Sequence, residues 1–134
     1  CKQFIVPEIV SLAEDPVFRV RKSAALSMYN VCATSDEADI VERLLPSFVT
    51  LSEDSMHRVR RACAETMGEM AKSTPLEMRA SVLKEIMIRL ANDTSTIVRV
   101  AAWQQLGPFI ATLPKYAFIS WRVCTAVHAL QFPS

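Results

Sequence analysis

Apolar residues recur along the chain at the spacing of an α-helix. In the central part of the sequence, two successive runs of apolar residues show intervals of four, four and three positions. The first run is Ile40, Leu44, Phe48 and Leu51, and the second is Val59, Cys63, Met67 and Met70. Such intervals place all the apolar side chains of a run on one face of a helix. The pattern therefore predicts two amphipathic helices in succession.

The same pair of helices is encoded three times. Two short motifs return with an offset of 39 residues, and small residues also match at that offset. The first motif is Leu12-Ala13-Glu14-Asp15, Leu51-Ser52-Glu53-Asp54 and Leu90-Ala91-Asn92-Asp93; the second is Val20-Arg21, Val59-Arg60 and Val98-Arg99. The small residues are Ala24, Cys63 and Ala102. Self-similarity at a fixed period is the signature of a repeat architecture in which stacked units share one core.

These patterns predict an all-α fold, an α-α superhelix of three antiparallel helix pairs with a partial fourth. We name the first and second helix of each pair helix A and helix B. The predicted helices span about 2–13, 16–32, 36–52, 55–72, 75–91 and 94–112. Thr34 and Thr74 are expected to cap the helices A that follow them, each with a glutamate three residues later. Pro16 and Pro75 are expected at the first helical position.

We expect residues 1–134 to form a single repeat domain, with repeats at about 2–33, 36–72 and 75–112. The segment 114–130 departs from the pattern and is expected to be a displaced or capping helix. The sequence begins without Met, and we interpret it as a fragment of a longer array. Repeats cut from an array lack polar end faces. Self-association through uncapped ends is therefore expected.

Composition narrows the functions that are open to the chain. Lys and Arg number 15 against 14 Asp and Glu, so the net charge favours neither nucleic acid nor an acidic substrate. The two glycines lie 39 residues apart, which excludes the clustered glycines of phosphate-binding loops and dinucleotide-binding motifs. The longest uncharged run, 100–114, has 15 residues, fewer than the roughly 20 that a membrane span requires.

The spacing of cysteines and histidines favours neither a metal site nor a catalytic site. The four cysteines are too far apart in sequence for a CxxC pair, and the two histidines, His57 and His128, belong to different repeats. No sequence motif of a catalytic triad is present. We therefore expect no catalytic residue, no cofactor, no metal ion and no enzymatic activity.

The period, the aspartate that ends helix A, and Val-Arg followed by a small residue resemble the HEAT repeat over residues 4–113. Within this family, the chain is similar to the regulatory subunits of protein phosphatase 4. It is less closely similar to the scaffold subunits of protein phosphatase 2A. Three segments carry this similarity: Val41-Glu42-Arg43-Leu44-Leu45-Pro46-Ser47-Phe48, Val59-Arg60-Arg61-Ala62-Cys63-Ala64-Glu65, and the run from Val98 to Ile110 that contains Leu106-Gly107-Pro108-Phe109.

The resemblance implies a non-catalytic scaffold that binds a serine/threonine phosphatase catalytic subunit and directs it to substrates. We expect the protein in the cytoplasm and in the nucleus. It also implies a ladder of ion pairs between adjacent repeats, made of Asp15, Arg21, Asp54, Arg60, Asp93 and Arg99. In that family, the turns between helices A and B grip the catalytic subunit. The partner-binding candidates at these turns are Phe18, Arg19, Met56, His57, Arg58 and Ile97.

Two alternatives remain open at this point. Phe18 and Met56 either bind a partner or tuck under the neighbouring repeat. The whole array is either a phosphatase scaffold or a transport solenoid that recognises cargo peptides on the concave face of its helices B. A cargo solenoid would be expected to carry ladders of acidic residues or of Trp and Asn on helices B, and only Trp103 is present. The scaffold is therefore the preferred interpretation.

Overall fold

Six helices in three antiparallel pairs make up the part of the chain that the structure, a computed structural model, describes, residues 2–114. They are α1 (Lys2–Ala13), α2 (Phe18–Thr34), α3 (37–52), α4 (57–72), α5 (76–91) and α6 (Thr96–Ile110). No strand occurs within these residues. The prediction of an all-α superhelix of helix pairs is confirmed. The segment predicted as a displaced or capping helix lies almost wholly outside the described residues.

Helices A and helices B form two layers around a continuous core. The helices B (α2, α4 and α6) pack side by side, and each also packs against its own helix A. Both apolar runs of the central repeat are buried, with exposures of 5% or less. The small residues that match at the repeat offset, Ala24, Cys63 and Ala102, are buried as well, where they allow neighbouring helices to approach closely. Burial of the predicted stripes is therefore what holds successive repeats together.

A π-helical turn interrupts two of the helices A at the same repeat position. In α3, the π turn Ile40–Leu44 lies between Glu37–Asp39 and Leu45–Ser52. In α5, the π turn Arg79–Leu83 lies between Leu76–Met78 and Lys84–Ala91. The backbone N–H groups of Leu45 and Lys84 donate to carbonyls five residues back, those of Ile40 and Arg79. Each turn therefore accommodates one extra residue without ending the helix.

Gly68 allows close contact between α4 and α6. Helix α4 consists of His57–Glu65 and Met67–Lys72 with a break at Thr66, and the Gly68 N–H donates to the side-chain oxygen of Gln105 at 3.2 Å. A Cβ atom on Gly68 would lie 2.9 Å from that oxygen and 3.0 Å from the Cβ atom of Pro108. Helix α6 continues through Pro108 to Ile110. Pro108 therefore lies against Gly68 of the neighbouring repeat.

The predicted capping boxes are wrong. The Thr34 hydroxyl donates to the carbonyl of Val31 at 3.2 Å, and the Thr74 hydroxyl donates to the carbonyl of Met70 at 2.6 Å. Both side chains thus bond back to the preceding helix, whose last carbonyls have no helical partner. Pro75 directly precedes the first residue of α5 and does not occupy that position.

Candidate functional site

Each turn between helix A and helix B is closed by an aspartate side chain. The carboxylate oxygen Oδ1 of the aspartate accepts the backbone N–H two residues later, which is the geometry of an Asx turn. The bonds join Asp15 to Val17 at 2.8 Å, Asp54 to Met56 at 2.9 Å and Asp93 to Ser95 at 2.9 Å. Helices B consequently begin at residues 18, 57 and 96, two residues later than predicted.

Arg21 connects the first repeat to the second. Its guanidinium binds the Asp54 carboxylate with two hydrogen bonds, Nε to Oδ2 at 2.7 Å and Nη2 to Oδ1 at 3.1 Å. Its third nitrogen, Nη1, donates to the carbonyls of Asp15 and Pro16 at 2.8 and 3.1 Å. One side chain therefore holds the turn of its own repeat and the turn of the next.

Arg60 repeats this arrangement between the second and third repeats. Its Nε and Nη2 atoms donate to the Asp93 carboxylate at 2.8 and 3.0 Å, and Nη1 donates to the carbonyls of Asp54 and Ser55. Arg99, the third arginine, donates to the carbonyl of Asp93 at 2.6 Å. Within residues 2–114, no carboxylate forms an ion pair with Arg99. The structure thus brings together Arg21 with Asp54 and Arg60 with Asp93, two ion pairs that join adjacent repeats.

The ladder carboxylates are shielded from water and remain ionised. The Arg60 and Asp93 side chains are 16% and 11% exposed. Burial by itself would raise the pKa of Asp93, but hydrogen bonds from Arg60 and from the Ser95 N–H outweigh it and hold the pKa below its ordinary value. The pKa of Asp54 is lowered in the same way, against burial, by Arg21 and the Met56 N–H. The paired charges therefore fix the turns in place.

The structure places the six predicted partner-binding residues along one edge, which we call the turn edge. Met56 lies in the turn itself, whereas the other five lie in the first turns of helices B. Phe18 and Met56 pack partly against the core, while Arg19, Arg58 and Ile97 are exposed. The Arg58 guanidinium carbon lies 5.9 Å from the centre of the Phe18 ring, a cation–π contact between the first and second repeats.

A groove in the layer of helices B shares His57, Arg58 and Ile97 with the turn edge, and the sequence did not predict its shape. Its volume is about 550 Å³, and side chains of α2, α4 and α6 line it. They are Lys22, Leu26, His57, Arg58, Arg61, Ala62, Glu65 and Ile97. The sequence does contain a pattern that indicates the charge of this groove. Residues 19, 58 and 97 share one repeat position, and residues 22, 61 and 100 share another. At both positions the first two repeats carry cations and the third carries an apolar residue.

Within the described part of the chain, the side chains that could act as metal ligands or nucleophiles are either not clustered or buried. Among residues 2–114, no group of three or more His, Cys, Asp or Glu side chains is placed to hold a metal ion. Burial raises the pKa of the Cys32 thiol to about 12 and also raises that of Cys63, so neither thiol is a nucleophile at neutral pH. None of the helices formed by the described residues has the length and apolar character of a bilayer span.

Comparison with known proteins identifies the central repeat. A family model described as HEAT repeat matches residues 44–74, which cover the second part of α3, the following turn and α4. The matched segment includes Asp54 and Arg60 of the ladder. A search among curated proteins found no match to the chain. A HEAT repeat is a protein-interaction element, so the chain carries the framework of a protein-interaction scaffold.

Proposed function

We propose that this chain is a non-catalytic scaffold that binds the catalytic subunit of a serine/threonine protein phosphatase and directs it to substrates. The HEAT repeat at residues 44–74 and the stacked helix pairs support a binding role. The resemblance to regulatory subunits of protein phosphatase 4 and scaffold subunits of protein phosphatase 2A supports this choice of partner. The observation that carries the proposal is the turn edge, where three successive repeats present side chains in a row.

The ladder prepares the turn edge for binding. Arg21 and Arg60 each fix two turns at once, and Asp54 is shared between the two arginines. Binding to a surface that is already ordered avoids the entropic cost of immobilising loops. A rigid array that holds an enzyme and its target together also raises their effective concentration.

The exposed side chains of the turn edge suit a mixed polar and apolar partner surface. Arg19 and Arg58 supply cations for carboxylates at the rim of the interface. Ile97, which is 46% exposed, offers apolar area to a partner. Phe18 already packs partly against the core and against Arg58, so its contribution is to hold Arg58 in position.

Co-purification of the full chain with phosphatase catalytic subunits tests the proposal. The double variant Arg19→Ala/Arg58→Ala removes both exposed cations of the turn edge. The matched control, Arg43→Ala/Lys72→Ala, removes two exposed cations located elsewhere, on α3 and at the end of α4. We expect the turn-edge variant to bind the catalytic subunits of protein phosphatase 4 or 2A about tenfold more weakly, with an unchanged melting temperature. The control should bind like the original chain.

If the turn-edge variant keeps its full affinity, the catalytic subunit binds elsewhere or not at all. The second candidate function is cargo binding by a transport solenoid, and the groove between the helices B favours it. The same pull-down separates the two functions, because a transport solenoid should retain an import-pathway GTPase or cargo in place of a phosphatase. Both functions fit the cytoplasm and the nucleus, where we propose that the protein acts.

A further inference from the structure

The groove between the helices B has two chemically distinct ends. Its walls in the first two repeats carry Lys22, Arg58 and Arg61, whereas the third repeat contributes Ile97. Leu26, which is partly exposed, supplies further apolar surface inside the groove. Ligand grooves of this kind combine apolar area with a few polar groups that orient the bound molecule. A ligand that fits it must therefore join negative charge to an apolar group.

The cations of the groove are available to a ligand. Lys22 is exposed, and no carboxylate among residues 2–114 forms an ion pair with it. Arg61 donates from Nε to Glu65 Oε1 at 2.7 Å, but these side chains are 52% and 43% exposed, so solvent screens the pair and an incoming carboxylate can replace it. Arg58 is held over the Phe18 ring, which positions its guanidinium before a ligand arrives.

Of the residues that the structure describes, three cations and one carboxylate line this groove. The cations lie in the first two turns of α2 and α4, where positive charge opposes the helix dipole and weakens the helix. The ladder compensates Arg21 and Arg60 with aspartates. Lys22 has no such compensation from the described residues, and the compensation of Arg61 is exposed to solvent. The unbalanced charge therefore marks a surface that favours an anionic ligand.

We propose that this groove binds an acidic linear peptide whose carboxylates lie over the first two repeats and whose apolar side chains lie against the third. The proposal holds whether the chain is a phosphatase scaffold or a cargo solenoid. A peptide suits the groove better than a nucleic acid does. Single-stranded nucleic acid binds to rows of aromatic faces on which successive bases stack, and among residues 2–114 no Phe, Tyr or Trp lines the groove, where His57 is a single ring.

Fluorescence anisotropy with a defined probe tests the proposal on the full chain. The probe is a fluorescein-labelled peptide with the acidic run Glu-Asp-Glu-Asp followed by two leucines. Three comparison probes replace the acidic residues by lysine, replace the leucines by alanine, or consist of a single-stranded oligonucleotide. We expect the acidic leucine peptide to bind most tightly and its affinity to fall with added salt.

Two substitutions should change this affinity in opposite directions. Lys22→Ala removes a groove cation and should weaken binding about fivefold. Glu65→Gln removes the only carboxylate that lines the groove among residues 2–114 and should strengthen binding about threefold. Both residues are exposed and neither belongs to the turn edge, so these variants should leave phosphatase binding unchanged. Arg43→Ala, an exposed arginine on α3, is the control and should have no effect.

Several results would overturn the proposal. They are equal binding of the acidic and lysine peptides, tighter binding of the oligonucleotide, or a Lys22→Ala variant that behaves like the Arg43→Ala control. If Glu65→Gln fails to strengthen binding while Lys22→Ala weakens it, the peptide contacts Lys22 without passing Glu65, so it does not run along the groove and the proposal also fails. Peptide binding is measured without phosphatase, so its failure and the failure of the turn-edge proposal are separate results.

Discussion

Arg60→Ala should destabilise the chain far more than the same substitution at its neighbour, Arg61. Arg60 makes two hydrogen bonds to the Asp93 carboxylate and two to backbone carbonyls of the preceding turn. Arg61 makes one to Glu65. Both arginines lie on α4 and both are paired with a carboxylate. The comparison therefore isolates the effect of burial and of bidentate geometry.

The difference can be worked out from exposure. Removing one partner of a fully buried ion pair costs about 3–5 kcal/mol, whereas exposed pairs contribute about 0–1 kcal/mol. Arg60 and Asp93 are 16% and 11% exposed, nearer to the buried limit, so Arg60→Ala should lower the free energy of unfolding by about 2–3 kcal/mol. Arg61 and Glu65 are about half exposed, and Arg61→Ala should cost about 0.5 kcal/mol or less.

Urea unfolding followed by far-ultraviolet circular dichroism measures both effects. Arg60 acts between repeats, so its loss should also weaken the coupling between the second and third helix pairs. We therefore expect a shallower dependence of the unfolding free energy on urea for Arg60→Ala than for the original chain. If both variants lose the same free energy, the Arg60–Asp93 pair is an ordinary surface ion pair and the argument from burial is wrong.

Three further predictions concern the core and the ladder. Cys63→Asp should destabilise the chain by several kcal/mol, because an unpaired charge would replace a fully buried thiol, and an unchanged melting temperature would refute this. Gly68→Ala should cost about 1 kcal/mol in chemical unfolding, since its Cβ atom would crowd α6, whereas Gly107→Ala, which meets no atom within 4 Å, should stabilise by about 0.5–1 kcal/mol. Asp54 and Asp93 have lowered pKa values, so they stabilise the fold above their unfolded pKa of about 3.9, and thermal melts should show this stability falling as the pH drops below about 4.

The helix pairs follow from the sequence because burial imposes its period on the residues. Positions such as Phe48 and Met67 must be apolar in any register that fills the core, so three aligned copies reveal both helices of each pair. The ends of the helices are decided by single hydrogen bonds. The Asp15 side chain closes a turn before helix B begins, and the Thr74 hydroxyl bonds backwards, and neither choice is visible in residue type.

The candidate binding site could be predicted only in part, because some of its contacts form only when the repeats stack. The position of the turn edge comes from the family resemblance, whereas the groove exists only when three helices B stand side by side. The sequence shows that two positions of the repeat carry cations in the first two copies. Whether these cations line one groove depends on the distance between the helices B, which the sequence does not show. The contact of Gly68 with Pro108 is likewise invisible from sequence, because the two residues lie 40 positions apart and meet only after the repeats stack.

The ladder gives the stack a polarity. Arg21 and Arg60 each reach forward to the aspartate of the next repeat while holding their own turn, so the interface between two repeats is heterologous, with different groups on its two sides. A two-fold dimer through α6 would instead be isologous, so both partners would present the face of Arg99 and neither would present the aspartate that the ladder geometry requires. A further unit that joins α6 by the same geometry must offer a carboxylate to Arg99 and direct its own arginine away. Any such assembly therefore grows head to tail.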